Sequence, residues 1–259
     1  MVLLTAPPIL PLIEPMLQQL QTAGVQILVI SDIVAEPTVT DFNAILDQAR
    51  AFQADSVAGI GGGSVLDLSK LVAAFAGSEQ RVEDCFGTGM IQKKGLWFAC
   101  LPTTAGTGSE VTQFAVISDK EHKKRTIVDR HMVPTISVND PEMMLSMPPS
   151  LTAATGMDAL THAIEAYVSN KGTPINACKA WEAIKLVADN LPIAVKNGHD
   201  ITARENMCCA SFLAGIAFNN AGLGLVHAMS HPLGGHYNLP HGLCNALLLY
   251  AVCKFNLTQ

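Results

Sequence analysis

Charge is scarce in this chain. The 16 Lys and Arg and the 22 Asp and Glu make up 15% of 259 residues, where a typical soluble domain carries about 25%. With 49% hydrophobic residues, that scarcity excludes a disordered chain, which needs high charge and few apolar side chains. A basic excess is also missing: the net charge is −6, which argues against a nucleic-acid partner. No apolar run reaches the roughly 18 residues of a membrane span, since the best, Met207 to Phe218, meets Asn219 and Asn220. The N-terminus has no basic stretch and is broken by Pro7, Pro8 and Pro11, so neither a signal peptide nor a membrane partner is expected. The seven cysteines form no C-x-x-C and are odd in number, which excludes a disulfide framework and fits a reducing cytoplasm.

What is present is unevenly placed. Residues 1–149 hold 10 basic and 16 acidic residues, and residues 150–259 hold 6 and 6. Six of the eight histidines lie in the second half. From Asn206 to Cys253 there is no Asp, Glu, Lys or Arg, yet His227, His231, His236 and His241 fall inside that stretch. A charge-free segment reads as buried, and buried imidazoles need hydrogen-bond partners or a metal.

The first half alternates strand and helix signals. Strands are expected at Val2-Leu3-Leu4, Val25–Ser31, Ser56–Ile60, Leu96–Leu101 and Ile136–Val138, with hairpin material at Val116–Asp119 and Thr126–Val128 around a charged turn. Leu12–Gln21, Asp41–Phe52 and Val65–Ala76 carry helical spacing. Such alternation predicts a mostly parallel sheet covered by helices. From Ser150 on, helical periods dominate, with new helices expected near Pro174 and Asp200. Pro148-Pro149 marks the boundary between an α/β domain, 1–149, and an all-α domain, 150–259.

Two loops stand where an open α/β sheet binds ligands. Gly61-Gly62-Gly63-Ser64 follows a strand and opens a helix carrying Asp67 and Lys70, a place where backbone N–H groups and the helix dipole favour a phosphate. Pro102 to Glu110 concentrates hydroxyls and glycines beyond another strand. A tight turn explains either loop alone; the pair favours a phosphate-bearing nucleotide.

In the helical half, Asp158 and His162 sit four apart on one helix face. With His227 and His241 they offer one carboxylate and three imidazoles, a set suited to Fe²⁺ or Zn²⁺ with an open position. Taken singly, the Asp158–His162 pair reads better as a helix-surface hydrogen bond and each histidine as a core side chain; their joint occurrence in a charge-poor, His-rich half favours the metal. His231 could share a face with His227 and relay protons, His236 reads as structural, and Glu165 as a supporting or solvent-facing carboxylate.

These residues resemble the iron-dependent (group III) alcohol dehydrogenase family. The matching segments are Gly61-Gly62-Gly63-Ser64-x-x-Asp67-x-x-Lys70, PTTAGTGSEVT at 102–112, NDPEMMLSMPPSLTAATGMDALTHAIEAYVS at 139–169 and GLGLVHAMSHPLGGHYNLPHG at 222–242. The resemblance implies an α/β nucleotide-binding domain followed by an all-α metal-binding domain. It places metal ligands at Asp158, His162, His227 and His241, and the cofactor's pyrophosphate at Gly62, Gly63 and Ser64. It implies further NAD contacts at Asp67, Thr103, Thr104, Thr107, Thr112 and Lys124, and a substrate pocket with His231, Phe114 and Phe218. The implied activity is hydride transfer between a small alcohol or aldehyde and NAD or NADP, with iron or zinc as Lewis acid, in a cytoplasmic homo-oligomer. Thr5-Ala6 stands where many members carry an acid beside the ribose, which leaves NAD against NADP open. Against the family the chain reads as shortened at both ends, so a non-catalytic fragment that folds only in an oligomer or with a partner is the alternative. A lyase reading within the same superfamily lacks the basic pocket it would need.

Overall fold

A computed structural model describes residues 1–33, 37–121, 123–237 and 239–258. The chain forms two compact units. The first comprises Met1–Thr103 and Thr112–Asn139; the second takes Thr104–Val111 and the chain from Asp140 on. The second unit thus begins eight or more residues before the Pro148-Pro149 boundary and borrows a loop from the α/β half.

In the first unit, strands β1 (Val2–Thr5), β2 (Leu28–Ile30) and β3 (Ser56–Gly61) belong to one sheet with β5 (Trp97–Pro102) and β8 (Ile136–Ser137). Its order is β2-β1-β3-β5-β8, and every neighbouring pair is parallel. Parallel strands need crossovers, supplied by helices α1 (Leu10–Thr22), α2 (Val39–Ala51) and α3 (Gly63–Phe75). The core joins Val2, Leu4 and Val57 of the strands to Phe42, Leu66, Leu71 and Phe75 of the helices. Strand β2 is shorter than Val25–Ser31 because only Leu28–Ile30 pair with β1. The hairpin expected around the charged turn is β6 (Phe114–Ser118) against β7 (Lys124–Val128), antiparallel; His122 of that turn lies outside the described residues. The exposed pair Gly87–Thr88, β4, joins β7 to make a second, three-stranded sheet that no apolar pattern announced.

The second unit is helical: α4 (Pro149–Tyr167), α5 (Pro174–Lys196), α6 (Ile201–Ala221), α7 (Leu225–Tyr237) and α8 (His241–Asn256). The starts follow local chemistry. Pro149 and Pro174 occupy first-turn positions, where no N–H is needed, and the Thr173 and Asp200 side chains accept from Asn176 N and Ala203 N. Gly222 ends α6 at φ +77°, a backbone region that favours glycine. Alanine and methionine dominate this core: Ala159, Ala163, Ala183, Ala210, Ala214, Met144 and Met207 are all buried. Small side chains let helix axes approach closely, and α6 is buried along about half of its circumference. Much of the charge deficit between Asn206 and Cys253 has this origin. Among the described residues no single helix is long and apolar enough to cross a membrane; α6 and α7 have the composition only as a pair bent by 105°.

Candidate metal centre and dinucleotide loop

Three helices of the second unit bring the four expected ligands together. Asp158 and His162 come from α4, one turn apart; His227 lies in the first turn of α7, and His241 is the first residue of α8. Asp158 Oδ1 lies 3.7 Å from His162 Nε2, 3.6 Å from His227 Nε2 and 3.5 Å from His241 Nε2. Ligand atoms about 2.1 Å from a tetrahedral ion stand about 3.4 Å apart, so these separations match the edges of such a site. Among the described residues, Asp158, His227 and His241 form a compact triad whose ligand atoms all lie within 4.8 Å of one another.

The donor sides of two imidazoles are committed elsewhere. His162 Nδ1 lies 3.1 Å from the Gly106 carbonyl, and His227 Nδ1 lies 2.6 Å from Glu165 Oε2. A carbonyl and a carboxylate can only accept, so both Nδ1 atoms carry hydrogen; the His162 Nε2 lone pair faces Asp158, and that of His227 does so once its Nε2 proton has left. Acceptor atoms converging on one buried point repel each other unless a cation lies among them. The donor set therefore fits a divalent metal, and its three imidazoles and one carboxylate suit iron or zinc.

Electrostatics follow the same geometry. Burial alone would raise the Asp158 carboxyl, but His162 and His227 hold it well below the usual carboxylate range. Burial pushes His162 down to about 4, against the pull of Asp158, so its ring is neutral. Burial also works against a charged His227, yet its bonds to Asp158 and Glu165 prevail and raise it to about 9. The proton there is the one a metal must displace.

Glu165 is the supporting carboxylate rather than a solvent-facing one. It is buried, and besides His227 it accepts from Gly224 N at 2.9 Å and Val226 N at 2.6 Å. Those are unpaired donors of the α7 N-terminus, so a single side chain of α4 caps α7 and aims its histidine. Burial would raise its carboxyl; the three donors hold it below its ordinary value.

The loop from Thr104 to Val111 belongs to the same unit, and its glycines have a packing role. A Cβ on Gly106 would strike Thr155 of α4; Gly108, at φ +61°, lies against Gly215 of α6. Close docking of this loop is what delivers the Gly106 carbonyl to His162. Gly242 does the same for α8, since a Cβ there would collide with the Ala154 carbonyl of α4. A carbonyl in a helix cannot step aside by changing rotamer. Gly242→Ala is expected to lower the unfolding free energy by about 1–3 kcal/mol, read as an earlier urea midpoint at constant slope. A wild-type midpoint would show that α8 shifts freely.

Of the remaining expected residues, Phe218 is buried and stacks on His162 with ring centroids 4.3 Å apart, backing a ligand. His231 is half-buried, its ring 5.2 Å from that of His241 and 6.2 Å from that of His227. His236 is exposed against Tyr237.

In the first unit, Gly62 is the N-cap of α3 and no side chain caps that end, so Gly63 and Ser64 present a first turn suited to an anion. Gly61 permits the tight turn, since a Cβ would overlap Val65. Asp67 Oδ2 accepts from Val116 N at 2.9 Å, and Lys70 Nζ donates to Thr112 Oγ1 at 3.2 Å and to the Phe114 carbonyl at 2.7 Å. These side chains tie α3 to β6 and the residues before it. Thr103 is buried beside Gly61, whose carbonyl accepts its N–H; Lys124 opens β7, half-buried. In the second unit, Thr107 Oγ1 accepts from Ser109 N within its own loop, and Thr104 is half-buried. The Thr5 hydroxyl donates to the Ile60 carbonyl inside the sheet.

Sequence reasoning missed Asn245 and the Gly106 carbonyl. Asn245 had one signal, its place four residues after His241 and so on the same helix face. A backbone carbonyl carries no sequence signal.

Comparison with known proteins bears on both units. The sequence model of iron-containing alcohol dehydrogenase matches residues 1–141, and that of the Fe-containing alcohol dehydrogenase family, C-terminal, matches residues 152–259. Alcohol dehydrogenase 4 of Schizosaccharomyces pombe is 51% identical over 221 residues, 85% of this chain and 52% of that protein. The NAD-dependent methanol dehydrogenase of Bacillus methanolicus is 42% identical over 245 residues, 94% of this chain and 64% of that protein. The chain thus spans about half to two thirds of the length of these curated relatives. Among solved structures, an alcohol dehydrogenase from Oenococcus oeni matches with TM-score 0.95 and 38% identity over 99% of this chain and 68% of its own. A sulfoacetaldehyde reductase from Bifidobacterium kashiwanohense in complex with NAD⁺ matches with TM-score 0.90 and 36% identity over 98% and 69%.

Proposed function

Because the chain belongs to the iron-containing alcohol dehydrogenase family, we propose that it transfers a hydride between a small alcohol or aldehyde and NAD, with Fe²⁺ held by Asp158, His162, His227 and His241. The convergence of four acceptor atoms, with the donor sides of His162 and His227 already bonded, carries this reading. When bound, the metal supplies Lewis acidity toward the alcohol oxygen and the nicotinamide supplies the hydride acceptor.

The chain's own residues hold, orient and move protons. Among the four ligands His241 alone has a substantially exposed side chain, 37%, so substrate and solvent reach the cluster from its side. His231 borders His241 and takes the alcohol proton to solvent. A His231→Ala variant should lose one limb of the pH–rate profile; a wild-type profile would overturn that role. The pyrophosphate is assigned to Gly62, Gly63 and Ser64, and further cofactor contacts to Thr103, Thr104, Thr107 and Lys124, with Asp67 and Thr112 acting through Val116 and Lys70. Phe114 and Phe218 are assigned to the substrate side, Phe218 by backing His162.

None of the seven cysteines forms a disulfide, which suits a reducing cytoplasm. Leu243, Leu247 and Tyr250, an exposed apolar row on α8, favour a homo-oligomer, which light scattering would test. The deciding experiment is anaerobic reconstitution of the full chain with Fe²⁺ or Zn²⁺, followed by metal analysis and assays of alcohol oxidation with NAD and NADP. Retained metal with alcohol-dependent NADH formation is expected. Neither retained metal nor turnover would overturn the proposal.

A further inference from the structure

Asn245 is fully buried, in the second turn of α8. Its amide Nδ2 lies 2.7 Å from Asp158 Oδ1 and 3.3 Å from both His227 Nε2 and His241 Nε2. Its own Oδ1 is buried and has no hydrogen-bond partner among the described residues. Turning the amide over would set a carbonyl oxygen 2.7 Å from a carboxylate oxygen and lose the bond, so the orientation is chemically determined. This position therefore requires a donor, and the carbonyl end goes unpaired to provide it.

We propose that Asn245 is a positioning residue for the metal: it clamps the Asp158 carboxylate in the rotamer that presents Oδ1 to the three histidines. The inference rests on the metal reading above. Among the described residues no other side chain gives Asp158 so short a contact; the histidine nitrogens stand 3.5–3.7 Å away. Once His227 has given up its Nε2 proton, a short carboxylate left without the clamp among neutral lone pairs has every electrostatic reason to turn away. An amide is suited to the task because it orients the carboxylate without neutralising it. A lysine or arginine there would neutralise the carboxylate and repel a cation, whereas a neutral N–H leaves its negative charge intact and most of its roughly four acceptor positions free. The clamp also couples elements far apart in sequence. Asn245 and His241 share a face of α8, and α8 reaches Asp158 because Gly242 lets it dock against Ala154.

The test uses the metal-stripped full chain and Co²⁺ as the probe. Co²⁺ binding is measured by competition with a chromophoric chelator, and the visible absorption of the bound ion reports ligand geometry. Asn245→Ala removes the amide, and Asn245→Leu removes the donor while filling the same space, which covers the case in which the alanine variant does not fold. Either variant is expected to bind Co²⁺ about 10- to 100-fold more weakly, with a changed visible spectrum. A merely structural role would shift the unfolding midpoint and leave the spectrum of bound Co²⁺ as in the wild type; that result overturns the assignment. If the wild-type chain itself takes up no Co²⁺, the metal reading falls and this inference with it. If the wild type binds and a folded variant matches it in affinity and spectrum, the assignment to Asn245 alone is wrong.

Discussion

Asp158→Asn is expected to weaken divalent metal binding by about 10³-fold, ~4 kcal/mol, and to abolish alcohol-dependent NADH formation at ordinary metal concentrations. The substitution hardly alters shape, so the effect isolates charge. Among the described residues Asp158 is the one anion whose oxygen faces the three imidazole Nε2 atoms, and all three nitrogens lie within 3.7 Å of it. In the variant a divalent ion would enter a buried pocket with no compensating negative charge in direct contact, and desolvation of the ion would go largely unrepaid. The amide can keep its oxygen toward Asn245, which donates at 2.7 Å, so that bond survives and the loss is one of charge. Chelator competition gives the affinity, and metal analysis after gel filtration gives the stoichiometry. A variant that retains one equivalent of metal through gel filtration would sink the assignment of Asp158 as the charged ligand.

Glu165→Gln should damage both stability and metal binding. The carboxylate accepts from three donors: His227 Nδ1 and Gly224 N on one oxygen, Val226 N on the other. Glutamine offers a single acceptor oxygen. Whichever way it turns, an NH₂ group faces at least one buried N–H, and a buried donor left unsatisfied costs about 1–3 kcal/mol. The expected loss of stability is about 2–4 kcal/mol, with lost charge–dipole attraction at the α7 N-terminus adding to the unsatisfied donor. Even with the glutamine oxygen toward His227, the imidazole exchanges a charged acceptor for a neutral one, and metal affinity is expected to drop about 10- to 100-fold. A ¹⁵N NMR titration of the imidazoles in the metal-stripped chain separates the two effects, because loss of the carboxylate lowers the raised His227 pKa whereas a packing defect alone would leave it. An unchanged titration together with wild-type affinity would remove Glu165 from the metal site.

The proposed ligands were legible as a cluster because their signals are local or compositional. Asp158 and His162 share a helix face by spacing alone, and His227 and His241 stand out as imidazoles in a stretch without other ionisable side chains. The strand and helix succession of the first half was legible for a related reason: hydrophobic period is a property of a few consecutive residues. It failed where pairing rather than propensity makes the strand. The Gly87–Thr88 strand exists because β7 has a free edge beside it, and β2 ends where β1 no longer offers partners.

The cofactor loops show the opposite limit. Glycines between Pro102 and Glu110 read as a ligand loop, and in the fold Gly106 and Gly108 serve helix contact. Asp67, Lys70 and Thr112 likewise form bonds within the chain that spacing could not foretell, across 42 to 49 residues.

By itself, then, the sequence determined which residues could form a metal centre, where the helices carrying them begin, and that the first half builds a parallel sheet. Tertiary structure decided how those ligands point. Gly106 lies 56 residues from His162, Glu165 lies 62 from His227, and Asn245 lies 87 from Asp158. A ring's tautomer or a carboxylate's rotamer depends on the group opposite it, and that group is chosen by how helices and loops dock, which here turns on glycines at Gly106 and Gly242 where backbone meets backbone.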